Sequence, residues 1–392
     1  MGMKVDSGIH WGFRPSVAAL DLSGPHTLRQ VDEYLEDNLG AATLDWLQQG
    51  RPAVIAVGEG QQQLEQLQRA GWTLQEPVQK DVGFHQVRRA VTPEDEQVML
   101  VWRVNGEDRT DHLQSMLKLA GAGSEQVGTV GQTRRYKDDY LRKLRSLGKP
   151  PELVVYGMSK TAAMSALSAH PISNFANLWD LFSRRGAPSV GESLTQSDMS
   201  GLRMEILNLE DGRKIWFIPP LYGDLSKDLL EALLEHGVKK LNFVGTAGGI
   251  DPRLKVGQVL SPGQWVHADG QRESLNWLIP TAGAEGGGNY QRVATPNLET
   301  QAWAQAMDRK DVDLVEVELG HWLEVTRHRP DVELRVQTVL SDVVQGPHHQ
   351  DMTEWSTWDN LRLRRPILTA IREALGENTT LRAAEFQSTS LV

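Results

Sequence analysis

Between residues 224 and 249 a helix pattern gives way at once to a strand pattern, and few protein architectures accommodate that change. Leucines at helical spacing predict an amphipathic helix over Asp224–His236, and Gly237 is placed to end it. The apolar run Lys240–Val244 predicts a buried strand that leads into the Gly-rich residues 245–249. A helix followed this closely by a buried strand is typical of a sheet with helices on its faces.

The alternation of strands and helices continues through the chain after Pro151. It predicts strands over Leu153–Tyr156, Leu202–Leu209, Lys214–Ile218 and Leu334–Leu340, and a closing helix over Pro366–Leu375. We therefore expect an α/β fold in which a mixed sheet is flanked by helices. Because ligands bind beyond the carboxyl ends of strands in such sheets, the loops after Tyr156, Val244 and Leu340 are candidate parts of one site.

The chain before Lys149 has a different pattern and predicts a smaller α/β N-terminal domain of unknown role over residues 1–148. Its expected elements are a helix over Thr27–Gln49, a strand over Ala53–Val57, a helix over Gln61–Arg69 and a strand over Val98–Val104 that ends in a turn at Asn105-Gly106. The Gly-rich stretch Gly121–Thr133 predicts a linker or exposed loop, and a charged helix with a solvated face follows it. The sequence Lys149-Pro-Pro151 breaks the chain, so a second domain is expected over residues 152–392.

Composition excludes several classes of function. Lys and Arg number 41 against 51 Asp and Glu, and the net charge of −10 argues against a nucleic-acid partner, which requires clustered cations. The chain has no cysteine, which excludes disulfides, thiolate catalysis, Cys-ligated zinc and iron–sulfur clusters. No run approaches about 18 apolar residues, so no membrane partner is expected. The first residues lack the profile of a signal peptide, and we expect a cytoplasmic protein.

The Gly-rich sequence Gly245-Thr-Ala-Gly-Gly249 is the strongest candidate for chemistry. Glycines let backbone N–H groups approach an anion or a sugar closely. The hydroxyl of Thr246 offers a hydrogen-bond donor for a phosphate or ribose oxygen. A tight turn whose glycines only satisfy packing explains these residues equally well, so on their own they leave both interpretations open.

This segment resembles the purine and uridine phosphorylase superfamily, which includes the methylthioadenosine/S-adenosylhomocysteine nucleosidases. That family has a strand, then a Gly-[Ser/Thr]-Ala-Gly-Gly turn, then a Pro-x-Leu-Lys-Val-Gly-Asp-Val stretch. Here Gly245–Gly249 is followed by the matching stretch Pro252–Val259, in which Gln258 replaces the usual Asp.

Two later motifs keep the order that this family has. Its Val-Glu-Met-Glu motif matches Val315–Glu318, with Val317 in place of the usual Met. Its strand ending in Ser-Asp matches Leu340-Ser341-Asp342. The resemblance covers about residues 152–375 and leaves the first 150 residues outside it.

The resemblance implies a role for each matched residue. It implies Asp342 as the catalytic acid that faces the base, and Glu318 as the carboxylate that grips the ribose hydroxyls, with Glu316 and Val317 beside it. It also implies a pocket for phosphate or the attacking water, formed by Gly157, Ser159, Thr246, Ala247, Gly248 and Gly249. Taken alone, Glu318 fits an ordinary surface residue of a helix, and Asp342 fits a helix cap or a turn.

The implied activity is cleavage of the N-glycosidic bond of a small-molecule substrate, a purine-type nucleoside or nucleotide. Hydrolysis is slightly preferred over phosphorolysis, because no residue matches the family's phosphate-binding arginine. Inorganic phosphate is the only co-substrate considered, no cofactor or metal ion is expected, and the family's habit predicts a homo-oligomer. Two alternatives remain. One is a non-catalytic nucleoside or nucleotide sensor, motivated by Gln258 and Val317, and the other is an effector domain regulated or delivered by residues 1–148.

Overall fold

Two β-sheets, each with helices packed against it, form the computed structural model of the chain. The structure describes residues 8–27, 30–78, 85–157, 203–209, 212–281, 284–345 and 383–390. The predicted helix Pro366–Leu375 and the candidate residue Ser159 lie outside these ranges. The described residues have an α/β fold of mixed sheets flanked by helices, as the sequence predicts. Among them, no helix combines the length and the apolar character needed to cross a membrane.

The smaller sheet contains six strands in the order β1-β6-β2-β5-β4-β3. Its strands are β1 His10–Trp11, β2 Ala53–Val57, β3 Thr73–Pro77, β4 Gln86–Val91, β5 Gln97–Val104 and β6 Val127–Gly131. Its helices are α1 Pro15–Ala18, α2 Val31–Leu39, α3 Ala41–Gln48, α4 Gly60–Arg69 and α5 Glu107–Leu119. The central strands β6, β2 and β5 are parallel, and β2 is wholly buried because α4 packs on one face and α2, α3 and α5 on the other. We call these strands and helices the N-terminal unit.

Three expectations for the N-terminal unit are wrong. The single helix expected over Thr27–Gln49 is replaced by α2 and α3, which Gly40 separates with a φ of +82°. The expected linker Gly121–Thr133 contains β6, a strand between β1 and β2, so pairing within the sheet overrides its polar composition. Asn105-Gly106 leads into α5 rather than closing a hairpin. The sequence analysis missed α5 because its many polar side chains hide the helical period.

The larger sheet contains ten strands within the described residues. Nine of them follow the order β12-β11-β13-β14-β10-β7-β9-β8-β16, and β15 pairs with β10 and β11. These strands are β7 Leu153–Tyr156, β8 Arg203–Leu209, β9 Lys214–Ile218, β10 Lys240–Gly249, β11 Val259–Val266, β12 Arg272–Ser274, β13 Glu285–Arg292, β14 Leu314–Glu316, β15 Glu333–Val343 and β16 Ala383–Ser390. The helices in this part of the chain are α6 Lys137–Ser146, α7 Asp224–His236, α8 Gln301–Arg309 and α9 Leu319–Thr326.

The strand–helix–strand pattern predicted after Pro151 is confirmed for the described residues. Helix α7 ends at Gly237, whose φ of +104° is left-handed. Strands β7, β10 and β15 are parallel neighbours, so their carboxyl ends lie side by side as expected. The Gly-rich sequence is not a turn, however. Strand β10 continues through it to Gly249, because β15 pairs with one edge and β14 with the other.

Helix α6 precedes the expected domain boundary at residue 148 but packs with the larger sheet. Tyr140 and Leu144 are fully buried in the core on that sheet. Arg135, just before the helix, forms ion pairs with Asp228 and Glu231 of α7. The charged helix therefore has a buried face and an ion-paired face. The boundary stays a prediction, and this packing favours a division before α6.

We predict that Gly157→Ala destabilises the protein far more than Gly148→Ala. Both glycines have positive φ, +113° and +92°, so each alanine carries the backbone strain of about 1–2 kcal/mol. A Cβ on Gly157 would also lie 1.7 Å from the carbonyl oxygen of Val244, whereas nothing lies within 4 Å of one on Gly148. Gly157→Ala should therefore cost about 3 kcal/mol or more in free energy of unfolding, measured by urea titration. Equal losses would show that β7 and β10 do not approach this closely.

Candidate functional site

Three sequence motifs meet at Gly248 on β10. In the register of the sheet, Gly248 lies opposite Asp342 of β15 on one edge and opposite Val315 of β14 on the other. The first partner belongs to the Ser-Asp motif and the second to the Val-Glu-Val-Glu motif. Strand pairing thus brings together residues that are far apart in the chain.

Two buried carboxylates face Gly248. A Cβ on this glycine would lie 3.5 Å from Oδ2 of Asp342 and 3.7 Å from Oε1 of Glu299. The hydroxyl of Ser341 lies 2.5 Å from the other oxygen of Asp342, which fixes the orientation of that carboxylate. The sequence analysis did not find Glu299. It follows a 3-10 helix of three residues, Pro296–Leu298, and only the tertiary fold reveals that it approaches β10.

Glu316 stabilises the start of α9. Its carboxylate accepts hydrogen bonds from the backbone N–H groups of Glu318, at 2.9 Å, and of Leu319. Capping of this kind satisfies donors that have no partner inside the helix. The carboxylate of Glu316 therefore holds the backbone from which Glu318 projects, and the ribose contact expected of Glu316 stays a prediction.

Glu318 is a half-buried carboxylate in an acidic environment. Its Oε1 accepts a hydrogen bond of 3.2 Å from the backbone N–H of Gly223. Burial, the charge of Glu316 and a hydrogen bond with that residue raise the pKa of Glu318 well above its ordinary value, and Asp108 adds to the effect. Val317, the neighbouring residue, is buried in an apolar cluster, and the ribose contact expected of it stays a prediction.

The remaining predicted residues lie at the same edge of the sheet but differ in what they offer. Thr246 is exposed, so its hydroxyl is accessible to a ligand. Ala247 is buried and Gly249 closes the strand. The backbone N–H of Gly157 already donates to the carbonyl of Ile218 at 2.8 Å, so it is not available to an anion.

Tyr222 and Arg109 are further polar neighbours of this site that sequence reasoning missed. Burial raises the pKa of Tyr222 well above its usual range, while the nearby Arg109 acts in the opposite direction. The guanidinium of Arg109, on α5, lies 5.2 Å from the centroid of the Tyr222 ring. Tyr222 precedes Gly223, which binds Glu318, so the N-terminal unit reaches the surroundings of the candidate ribose carboxylate.

The chain can be compared with known proteins by sequence and by structure. No model of a protein family matches the sequence, and no curated protein matches it. Among solved structures, the chain is similar to a schistosoma purine nucleoside phosphorylase in complex with hypoxanthine, with 12% sequence identity and a TM-score of 0.39. The match covers 62% of this chain and 97% of that one. A likeness at this level does not by itself establish a shared family or activity.

We predict that Glu318→Gln stabilises the fold increasingly as the pH rises above 4.5. Because the pKa of Glu318 is raised in the folded state, its contribution to stability is present below the ordinary value of 4.5 and is lost as the pH rises through the folded value. A glutamine does not titrate. The melting temperature of the variant should therefore rise relative to that of the parent between pH 4.5 and the pKa of Glu318 in the folded protein.

Glu324→Gln on the same helix is the matched control. Lys227 forms an ion pair of 2.9 Å with Glu324 and lowers its pKa, so the sign is reversed. Losing this exposed pair should change stability by less than about 1 kcal/mol and never favour the variant above pH 4.5. If Glu318→Gln followed the control, Glu318 would not lie in the acidic environment described above.

Proposed function

We propose that this chain cleaves the N-glycosidic bond of a purine-type nucleoside or nucleotide. The observation that carries the proposal is the meeting at Gly248 of three motifs whose roles a single pocket would combine. A glycine at that point leaves the space beside the strand to the side chains of Val315, Asp342 and Glu299, and the two carboxyl groups among them would face a bound base or sugar.

Glu318 has the properties needed to hold a ribose. Cleavage develops positive charge on the sugar ring, and a carboxylate beneath the hydroxyls fixes the ring and favours that charge. Hydroxyl donors also favour the ionised form of a carboxylate. A bound sugar would therefore counteract the raised pKa of Glu318 and donate two charge-assisted hydrogen bonds to its carboxylate.

Asp342 would assist the departing base. A leaving purine develops negative charge, which an acid within hydrogen-bond reach stabilises or neutralises by protonation. The Ser341 hydroxyl holds one oxygen of Asp342, and the other oxygen faces Gly248. Glu299 faces the same glycine, so a base lying there would meet two carboxyl groups.

Hydrolysis is favoured over phosphorolysis by the state of Arg292. This arginine lies beside the candidate ribose carboxylate, since its Nε donates to the carbonyl of Val317 at 3.3 Å. Its guanidinium also donates to both oxygens of Asp108 at 2.7 Å, so its charge is already compensated. A compensated arginine attracts phosphate weakly, which leaves water as the favoured nucleophile.

The direct test is incubation of the purified protein with a panel of purine nucleosides and nucleotides, with and without phosphate. Free base is measured by chromatography. Release without phosphate supports hydrolysis, and release only with phosphate would replace it by phosphorolysis. No release under any condition, together with a melting temperature that nucleosides raise, would replace catalysis by non-catalytic sensing.

We predict that Asp342→Asn lowers turnover by about 10²- to 10⁴-fold, because it removes the ionisable group while keeping the shape of the side chain. The melting temperature should stay near that of the parent, since asparagine still accepts the Ser341 hydroxyl. Asp228→Asn is the matched control, because the buried Asp228 binds Arg135 at the contact of α7 with the segment before α6. Parental turnover in Asp342→Asn would make Asp342 a structural residue.

A further inference from the structure

The first turn of α5 docks onto the part of the larger sheet that surrounds Glu318. The carboxylate of Asp224, at the start of α7, accepts the backbone N–H of Glu107 at 3.0 Å and that of Asp108 at 3.3 Å. A side chain from one unit therefore caps a helix of the other. The cap also sets the position of Asp108, which points from the N-terminal unit toward α9.

Asp108 makes three strong contacts with the larger sheet. Its two oxygens accept from the same nitrogen of Arg292 at 2.7 Å, and one of them lies 2.7 Å from Nε2 of His321. Burial alone would raise the pKa of Asp108, but the hydrogen bond from His321 and the charge of Arg292 outweigh it and hold the pKa below its ordinary value. Asp108 is thus an ionised, almost buried carboxylate at neutral pH.

Two of the groups that Asp108 touches hold the backbone around Glu318. Arg292 donates to the carbonyl of Val317, the residue immediately before Glu318. His321 lies in the first turn of α9, and its own backbone N–H donates to the carbonyl of Glu318 at 3.0 Å.

The third group holds the side chain of Glu318. Gly223 donates its N–H to Oε1 of Glu318. A Cβ on Gly223 would lie 2.4 Å from Cβ of Asp108, so the backbone of Gly223 lies directly against the Asp108 side chain. Arg292, His321 and Gly223 hold Glu318 from three directions. Loss of Asp108 would remove a contact from each of these three residues.

We propose that Asp108 is a positioning residue for Glu318, so that the candidate site is complete only when α5 of the N-terminal unit is docked. The catalytic part of this inference rests on the proposed function, while the positioning part does not. By this proposal the N-terminal unit supplies residues that position a site built on the larger sheet. Asp108 itself would touch no substrate.

The test compares Asp108→Asn with Asp228→Asn in the full-length protein. Both aspartates are buried and both bind an arginine, but Asp228 contacts Arg135 and Tyr136 rather than the residues around Glu318. Asp108→Asn should lower kcat by about 10- to 100-fold and raise KM, because a displacement of about 1 Å at a substrate-holding group has that effect. Asp228→Asn should lower the melting temperature but leave kcat and KM unchanged. The same kinetic constants in both variants would overturn the proposal.

Hydrogen exchange separates this proposal from the proposed function. Backbone amides of residues 316–321 should exchange faster in Asp108→Asn than in Asp228→Asn, whether or not the protein cleaves nucleosides. If the parent cleaves nothing but this difference is present, the function fails and the positioning stands. If the parent cleaves nucleosides and the amides exchange alike in both variants, the positioning fails.

His321→Gln covers the case in which Asp108→Asn does not fold. His321 makes one of the contacts of Asp108, so this change affects that contact alone. Glutamine keeps an N–H donor in the side chain, so the contact should be weakened. The fall in kcat and the rise in KM should follow the same pattern as in Asp108→Asn but be smaller. Where Asp108→Asn folds, the variant that carries both changes should have kinetic constants no worse than those of Asp108→Asn alone. Additive losses would mean that the two residues act separately, against the proposal.

Discussion

Strand β10 is the element on which the arrangement of the larger sheet depends. One of its edges pairs with β15 over the whole strand, while the other pairs first with β7 and then with β14. A change of partner along one edge requires room for the incoming strand. The glycines at the end of β10 provide it, since Cγ2 of Val315 lies 3.4 Å, an ordinary van der Waals distance, from where a Cβ on Gly248 would be. Side chains larger than alanine there would displace β14 and, with it, Glu318 just before α9.

Local patterns predicted the elements whose burial is uniform, and failed where burial depends on distant partners. Residues 241–244 of the run Lys240–Val244 are buried on both faces, so composition alone revealed that strand. Residues 245–249 have the composition of a turn, and they are a strand because two neighbours pair with them. The sequence analysis missed helix α5 for the converse reason, since nearly all of the polar residues of this helix are buried. Among the candidate residues, the motifs revealed Asp342 and Glu318, whereas Glu299 required the fold.

The polar sequence of α5 has a physical explanation in the contact that it makes. His112 binds the hydroxyl of Thr295 at 2.8 Å, and the amide of Asn297 donates to the hydroxyl of Ser115 at 2.9 Å. With the Asp108 contacts, they make this face of α5 a hydrogen-bonded interface rather than an apolar one. Buried polar groups are costly unless each is satisfied, so such an interface tolerates few alternative dockings. The orientation of α5 is therefore specified more sharply than burial of apolar surface would specify it.

The acidic residues around Glu318 also affect which ligands the candidate site would bind. Without a ligand, Glu318 lies near Glu316 and Asp108, and its raised pKa shows that ionisation there is unfavourable. A ligand with two adjacent hydroxyls would add two donors to the N–H that Gly223 supplies, and so recover that free energy on binding. A ligand without them would remove water from the carboxylate without replacing its hydrogen bonds, which costs more than the loss of one ordinary hydrogen bond. Sites of this kind reject analogues that lack the hydroxyl more strongly than apolar pockets reject a missing methylene. The like-charged neighbours that make the ionisation of Glu318 unfavourable in the free protein would therefore also make the site selective for a ribose.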